Sequence, residues 1–377
     1  SDNMLFMKDL GVIYGYEDGM LRPDNNITRM EFVTMVLRLL GYYHPEEFSG
    51  GESMFSDVPD DLWGAAGINF SHRLGLIDGH GDGSFGPEES VTVNQAVKVL
   101  VCMLGYKPMA EKMGYPAGYL THAAQLGVLN GVATGEIAAT RAAVADLMAN
   151  ALEAEIVETV YNADQTVDYT KSGKTLLDAM GIEKQGGFVY AVPGISIDAD
   201  VDLEANQVLV DTTVYDVKCG NVSDSIASEV TIWVNTDDAL RRPQILHMEK
   251  MDSRSDITVA ARDVSAKTTP GTLVYYDNAG KEKSVTLPDG AAIIYNGKLL
   301  STAEMTADRL MPESGYVTVK NTGGTGPKTV LIWDFKNYVV QTVTRDGTVY
   351  DIFGEKLDLE DSRLSVEVTV DGIAAEL

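Results

Sequence analysis

From Phe32 to Leu40 the apolar residues fall at Phe32, Val33, Val36, Leu37 and Leu40, the spacing of one face of an α-helix. The same period returns over about 141–153, where Val144, Leu147, Met148 and Ala151 share a face. Between them, "DVPDDLWGAAGINFSHRLGLI" opens on Pro59 and acidic residues and stops at a Leu-Gly pair, as a helix does. Thr28 followed by Glu31 spells a capping box that starts the first of these helices, and Thr92 followed by Gln95 spells one that starts a further helix. Past about residue 160 the period changes to alternation. "QVLVDTTVYDV", "EVTIWVN", "DITVAARDV", "GTLVYYD", "KSVTLPD", "AAIIYNGK", "GYVTVKN", "KTVLIWDF" and "VVQTVT" read as strands rich in Val, Ile, Thr and Tyr, divided by Gly, Asn and Asp turns. "LVYYDNAGKEKSVTL" reads as a hairpin closed over Asn278-Ala279-Gly280.

These periods predict a multidomain α + β chain. An all-α region covers 1–155 and a linker with one short helix covers 156–184 ("SGKTLLDAMGIEKQGG"). An all-β region, a small barrel or sandwich of the oligonucleotide/oligosaccharide-binding type, covers 185–340. Residues 341–377 read as the opening of a further β unit that stops in mid-pattern, so the natural protein is expected to continue.

The helical region repeats itself. Leu10-Gly11-Val12-Ile13-Tyr14-Gly15 returns as Leu74-Gly75-Leu76-Ile77-Asp78-Gly79 and as Leu126-Gly127-Val128-Leu129-Asn130-Gly131. Asp18-Gly19 returns at Asp82-Gly83, and Gly41-Tyr42 at Gly105-Tyr106, in the same register. Thr28-Arg29 corresponds to Thr92-Val93 and to Thr140-Arg141, and in the third copy the Asp-Gly turn is missing. Each copy reads helix, loop, helix. One such unit cannot bury its apolar stripe alone, whereas three packed together can.

This pattern resembles the S-layer homology family, whose three tandem modules tether surface proteins to the bacterial cell wall. Copy two carries Phe55-Ser56-Asp57-Val58, Trp63-Gly64, Leu76-Ile77-Asp78-Gly79 and Asp82-Gly83-Ser84-Phe85-Gly86-Pro87. Copy one carries Asp18-Gly19-Met20-Leu21-Arg22-Pro23 and Ile27-Thr28-Arg29-Met30-Glu31. The resemblance places modules at about 1–44, 53–107 and 111–155. Copy one departs from the family in lacking the Phe-x-Asp-Val and Trp segment. Copy two has Val93 in place of Arg, and copy three has Tyr115 in place of Trp. The resemblance implies a non-catalytic anchor that binds an anionic, often pyruvylated, secondary wall polysaccharide outside the cell. It assigns glycan contacts to Arg29 and Arg141 beside Thr28 and Thr140, with Trp63 and the turn residues Asp18, Gly19, Asp82 and Gly83 shaping the groove. Val93 implies a weakened or lost groove in copy two. The β-rich half is similar to modules that follow such anchors in surface proteins of Gram-positive anaerobes. Two alternatives stand beside this reading: the anchoring part of a secreted glycan hydrolase or protease, and a lattice subunit whose β half contacts other copies of itself.

Charge narrows the partners. Fifty-six acidic residues stand against 29 basic ones, a formal net of −27. Nucleic acid binding needs clustered Lys and Arg and is not expected; an anionic membrane surface is disfavoured on the same ground. No apolar run approaches the length needed to span a bilayer, and the N-terminus has no basic or apolar signal region. Cys102 and Cys219 lie far apart, Cys102 within an apolar run, so no disulfide framework is expected.

Several other motifs have plainer explanations. Gly81-Asp82-Gly83-Ser84-Phe85-Gly86 matches the dinucleotide fingerprint, but a helix precedes it where that motif needs a strand. Glu17-Asp18-Gly19 with Asp24-Asn25-Asn26 suggests structural calcium, yet lacks the EF-hand register and reads better as a tight turn. The five histidines show no metal-ligand spacing, and no cofactor is expected. The acid pairs Asp237-Asp238 and Glu360-Asp361 read as solvated surface rather than glycosidase carboxylates. Arg29 at the first position of a helix is unusual, because the macrodipole there disfavours cations. It either pairs with Glu31 or a loop acid, or joins the helix N-terminus in an anion site. Trp63 either stacks on a sugar or fills a core.

Overall fold

The computed structural model describes residues 2–16, 18–42, 44, 53–162, 164, 167–197, 201–220, 222–236, 241–251, 256–287, 289–320, 328–335, 340–345, 348–357, 369–370 and 373–374. Glu17 and the pairs Asp237-Asp238 and Glu360-Asp361 lie outside the described residues. The chain forms two compact units. The first is Ser1–Gln185 with Asp216–Gly220 and Ile232–Met248; the second is Gly186–Tyr215, Asn221–Thr231 and Glu249–Leu377.

The helices α1 (Asp2–Asp9), α2 (Arg29–Leu39), α3 (Ala65–Arg73), α4 (Val93–Met103), α5 (Lys107–Ala110), α6 (Ala117–Gln125), α7 (Arg141–Leu152) and α8 (Leu176–Ala179) belong to the first unit. The repeated Leu-Gly pairs end α1, α3 and α6. Gly11, Gly75 and Gly127 take φ of 71°, 69° and 77°, and the next amide reaches back across the turn: Val12 N–H to Met7 O, Leu76 N–H to Ser71 O, Val128 N–H to Ala123 O. A left-handed residue is needed there, which is why glycine recurs. Thr28, Thr92 and Thr140 then cap α2, α4 and α7 in extended conformation, with reciprocal Glu31 and Gln95 bonds completing the first two boxes.

The residues just before those caps join the three copies. Ile27 N–H donates to Ala139 O (3.1 Å), Ala139 N–H to Val91 O (2.9 Å) and Val91 N–H to Ile27 O (3.0 Å), a closed ring of three backbone bonds. All three side chains are buried. Each segment lends one donor and one acceptor, so each copy needs the other two to satisfy its buried backbone. Around this ring lies one core, with Phe32, Leu37, Leu39, Ile68, Phe85, Leu100 and Leu147 fully or almost fully buried.

The stretch 156–184, expected as a linker with a short helix, contains more than that. Strands β1 (Glu155–Tyr161) and β2 (Val167–Thr175) form an antiparallel hairpin ahead of α8. Both strands are largely exposed on both faces, so they leave no alternation for sequence reasoning to detect. The first unit also extends beyond the expected limit at 155. Trp233, 3% exposed, belongs to its core, with ring contacts to Phe6 (4.8 Å) and His247 (5.2 Å). His247 Nδ1 lies 2.6 Å from Asp9 Oδ2.

The remaining strands are β3 (Ile182–Val192), β4 (Ile195–Ser196), β5 (Gln207–Val210), β6 (Thr213–Val217), β7 (Glu229–Asn235), β8 (Gln244–Lys250), β9 (Ile257–Ala260), β10 (Thr272–Tyr276), β11 (Glu282–Thr286), β12 (Ala292–Tyr295), β13 (Lys298–Leu299), β14 (Gly315–Lys320), β15 (Thr329–Asp334), β16 (Val340–Val343), β17 (Val349–Asp351), β18 (Lys356–Leu357), β19 (Thr369–Val370) and β20 (Ile373–Ala374). Six of them follow the order β4-β3-β5-β6-β8-β7, and a further β3–β7 pairing closes β3, β5, β6, β8 and β7 into a small barrel, with β4 paired to β3 outside the ring. A separate five-stranded mixed sheet runs β13-β12-β15-β14-β9, with β12 parallel to β15. Its core is Val259, Leu273, Ile293, Val317, Val319, Val330 and Ile332. The expected hairpin is β10–β11, turned at Gly280 (φ 71°) with Asp277 accepting from the Ala279 and Lys281 amides. Short sheets β16-β17-β18 and β19-β20 follow.

Candidate functional site

Two cavities in the first unit have matching construction. In one, Arg29 at the start of α2 donates Nε–H to Phe85 O (2.8 Å) and Nη2–H to Asp78 O (3.4 Å), and its guanidinium lies 4.5 Å from the Phe85 ring centre. In the other, Arg141 at the start of α7 donates Nε–H to Leu21 O and Nη2–H to Tyr14 O, both at 2.8 Å. Phe85 and Asp78 are the repeat counterparts of Leu21 and Tyr14, so each arginine reaches into the same part of another copy's loop. Neither has a carboxylate within ion-pair distance among the described residues, which removes the expected pairing of Arg29 with Glu31. Glu31 instead accepts from the Thr28 amide.

Each cavity is completed by an exposed aromatic ring from the remaining copy. Tyr115, 47% exposed, lines the Arg29 cavity of about 180 Å³ together with Lys98, Gln95 and His80. Trp63, 52% exposed, lines the Arg141 cavity of about 260 Å³ with Tyr14, Tyr16 and Arg38. Trp63 is therefore not a core residue. Tyr115 holds the equivalent position in its own copy, so one geometry sets both cavities.

The helix N-termini themselves are not open to an anion. The Arg29 and Met30 amides donate to Glu89 O and Pro87 O, and those of Arg141 and Ala142 to Asn25 O and Pro23 O, leaving the third amide for the threonine cap. The anion site expected from free amides plus arginine thus reduces to the guanidinium alone. Those same carbonyls explain how a cation tolerates the first helical position: they supply the negative ends of dipoles where the helix supplies positive ones. Burial lowers the pKa of Arg29, against the opposing pull of Glu89 and Asp57.

The third position is different. Val93 is buried, and the Glu136 carboxylate occupies the neighbouring loop. Oε1 accepts from Asn94 Nδ2 (3.0 Å) and Tyr115 Oη (2.8 Å), and Oε2 from Thr92 Oγ1 (2.8 Å). Burial works to raise the Glu136 pKa, but these donors hold it below the usual range. Burial, followed by the bond to Glu136, pushes Tyr115 up to about 12.

The predicted turn residues lie outside both cavities. Asp18 accepts from the Met20 amide and pairs with Arg22 at 2.7 Å; Gly19 takes φ 76°. Asp82 accepts from the Ser84 amide and hydroxyl, and Gly83 takes φ 93°. Among the described residues no group of three or more His, Cys, Asp or Glu is placed to hold a metal ion. Sequence reasoning passed over Asp57, whose carboxylate receives the Phe85 and Gly86 amides at 2.7 Å each and so shapes the loop that receives Arg29. It also passed over Lys98, which pairs with Asp78 at 2.6 Å, and over Tyr14, Tyr16 and Arg38. The signal for Asp57 was the family motif Phe55-Ser56-Asp57-Val58 rather than the repeat, since copy one lacks that segment.

The S-layer homology domain family matches residues 2–33 and 55–92. Both matched segments lie in the first unit. Similar proteins include the middle cell wall protein of Brevibacillus brevis, 27% identical over 250 residues that cover 61% of this chain and 24% of that protein. The cell surface protein of Thermoanaerobacter kivui is 28% identical over 327 residues, covering 83% and 38%. The cellulosome-anchoring protein of Acetivibrio thermocellus is 37% identical over 81 residues, covering 21% and 17%. The chain thus spans less than two fifths of each of these relatives. The domain match and these surface-protein relatives place the chain at the cell wall or S-layer. No described helix is long and apolar enough to cross a membrane.

Proposed function

We propose that the first unit is a three-module S-layer homology anchor that binds an anionic, pyruvylated secondary cell-wall polysaccharide non-covalently, without catalysis. The observation that carries this reading is the matched pair of arginines. Arg29 and Arg141 are each held by two backbone carbonyls, each have no carboxylate within ion-pair distance among the described residues, and each face a cavity with an exposed aromatic ring. A guanidinium fixed in this way has already lost its rotamer freedom, so a ligand carboxylate gains a charged donor at little entropic cost. The aromatic ring offers a flat apolar face to a sugar.

The Val93 position takes no ligand anion in this reading, because Glu136 already provides a carboxylate there. Two grooves along a repeating glycan give avidity from modest single contacts. The β-rich region serves as a stalk or lattice segment. The net charge of −27 disfavours nucleic acid as the partner.

The test is retention on purified cell-wall sacculi, with and without their polysaccharide, for wild type and the Arg29→Ala/Arg141→Ala chain. Loss of retention on removing either the polysaccharide or the two arginines is expected. Equal retention of both proteins on intact sacculi refutes the site, provided the helical circular dichroism of the two proteins matches.

A further inference from the structure

The two grooves differ in one respect that the repeat does not predict. In the Arg29 groove the second cation is Lys98, which is paired with Asp78. In the Arg141 groove the second cation is Arg38, whose guanidinium lies 4.4 Å from the centre of the Tyr14 ring. Its Nε is buried and has no hydrogen-bond partner among the described residues. A buried donor without an acceptor is rare and calls for an explanation. The repeat counterpart of Arg38 is Cys102, so the Arg29 groove has no equivalent.

Tyr14 links the two cations of this groove. Its carbonyl accepts from Arg141 Nη2 at 2.8 Å, and its ring supports Arg38. Two guanidiniums therefore rest on one residue at one cavity, beside the exposed face of Trp63. The acid lining that cavity among the described residues, Glu31, is held in the α2 capping box.

We infer that Arg38 is the second anion-binding residue of the Arg141 groove, which takes a carboxylate-bearing saccharide with its acid group on Arg38 and Arg141 and its sugar face on Trp63. The inference rests on the anchoring reading above and adds that the two grooves are unequal. The Arg141 groove is the tighter one for acidic sugar and discriminates more strongly against a neutral analogue. Arg38 lines this cavity, and the planar fork of arginine suits a carboxylate in a way a lysine ammonium does not.

The experiment is calorimetric titration of the full chain carrying Arg29→Met, which leaves only the Arg141 groove. The probes are a methyl hexoside bearing a pyruvate ketal and the same compound with its carboxylate methyl-esterified. Adding Arg38→Met, which keeps the aliphatic stem, is expected to weaken binding of the acid by on the order of tenfold or more, the effect of losing a charged hydrogen bond. It should leave binding of the ester unchanged. Arg38→Lys is expected to lie between, with a loss of roughly severalfold. Acid affinity within about twofold of the parent in either Arg38 variant overturns the inference, while retention on sacculi leaves the anchoring reading intact. If the wild-type chain neither takes up the acid probe nor stays on sacculi, the anchoring reading itself falls. The lysine variant supplies the test where the methionine variant loses its helical signal.

Discussion

Replacing Arg141 by alanine removes two charged donors from a site that is 6% exposed. Both bonds are 2.8 Å long and both end on backbone carbonyls, Leu21 O and Tyr14 O. A hydrogen bond from a charged donor contributes about 1.5–3 kcal/mol, and deleting it leaves a carbonyl to be re-solvated. The cavity beside Arg141 lets water reach part of that surface, which lowers the total to about 3 kcal/mol. The backbone bond from the Arg141 amide to Asn25 O survives the substitution and does not enter the difference. Arg29→Ala removes one bond of 2.8 Å and one of 3.4 Å from a half-buried site, so its cost is about 1 kcal/mol. Urea denaturation followed by helical circular dichroism measures this contrast, because the described α-helices all belong to the first unit. The expected result is a midpoint shift about three times larger for Arg141→Ala than for Arg29→Ala. Equal shifts, or an Arg141 loss below about 0.5 kcal/mol, refute the reasoning that Arg141 is a structural staple as well as a ligand contact. The result also decides how binding assays are read, since an unfolded Arg141 variant fails for a different reason than an intact one.

Three further outcomes follow from particular contacts. Gly118→Ala places a Cβ 1.9 Å from Ala110 O, a backbone atom that cannot move aside cheaply, so a loss of about 2 kcal/mol or more is expected in the same denaturation assay. The Glu136 carboxyl has a folded pKa below its ordinary 4.5, so its contribution is fully present above 4.5 and is lost as pH falls through the lower folded value; Glu136→Gln should flatten that part of the stability–pH curve, and an unchanged curve refutes it. Burial pushes the Cys102 and Cys219 thiols up to about 11, so both should resist iodoacetamide near neutral pH in the folded chain and react readily in urea, as read by mass spectrometry.

Much of the helical unit was legible because its signals are local. A glycine after leucine, a threonine three residues before glutamate and an apolar stripe of period 3.6 each act within one or two turns, and the structure places those helix stops and caps where they predicted; the start expected at Pro59 lies instead at Ala65, which has no side-chain cap. The β10–β11 hairpin was legible for the same reason, a short turn between two alternating runs. The β1–β2 hairpin was not, since its exposed strands carry no burial pattern. The inclusion of Trp233 and His247 in the helical core was also hidden, because nothing near either residue in sequence refers to Phe6 or Asp9.

The candidate site divides in the same way. Comparing the copies by sequence alone was enough to single out Arg29 and Arg141 and to mark Val93 as the exception. Only the tertiary structure decided what surrounds them. It assigned the helix N-terminal amides to neighbouring carbonyls, moved Asp18 and Asp82 out of the cavities, exposed Trp63, and set Arg38 beside Arg141 across a sequence gap of more than one hundred residues. A repeat specifies what each copy contributes. The closed ring of Ile27, Val91 and Ala139 fixes which copy receives it, because each segment satisfies its buried backbone only on the other two.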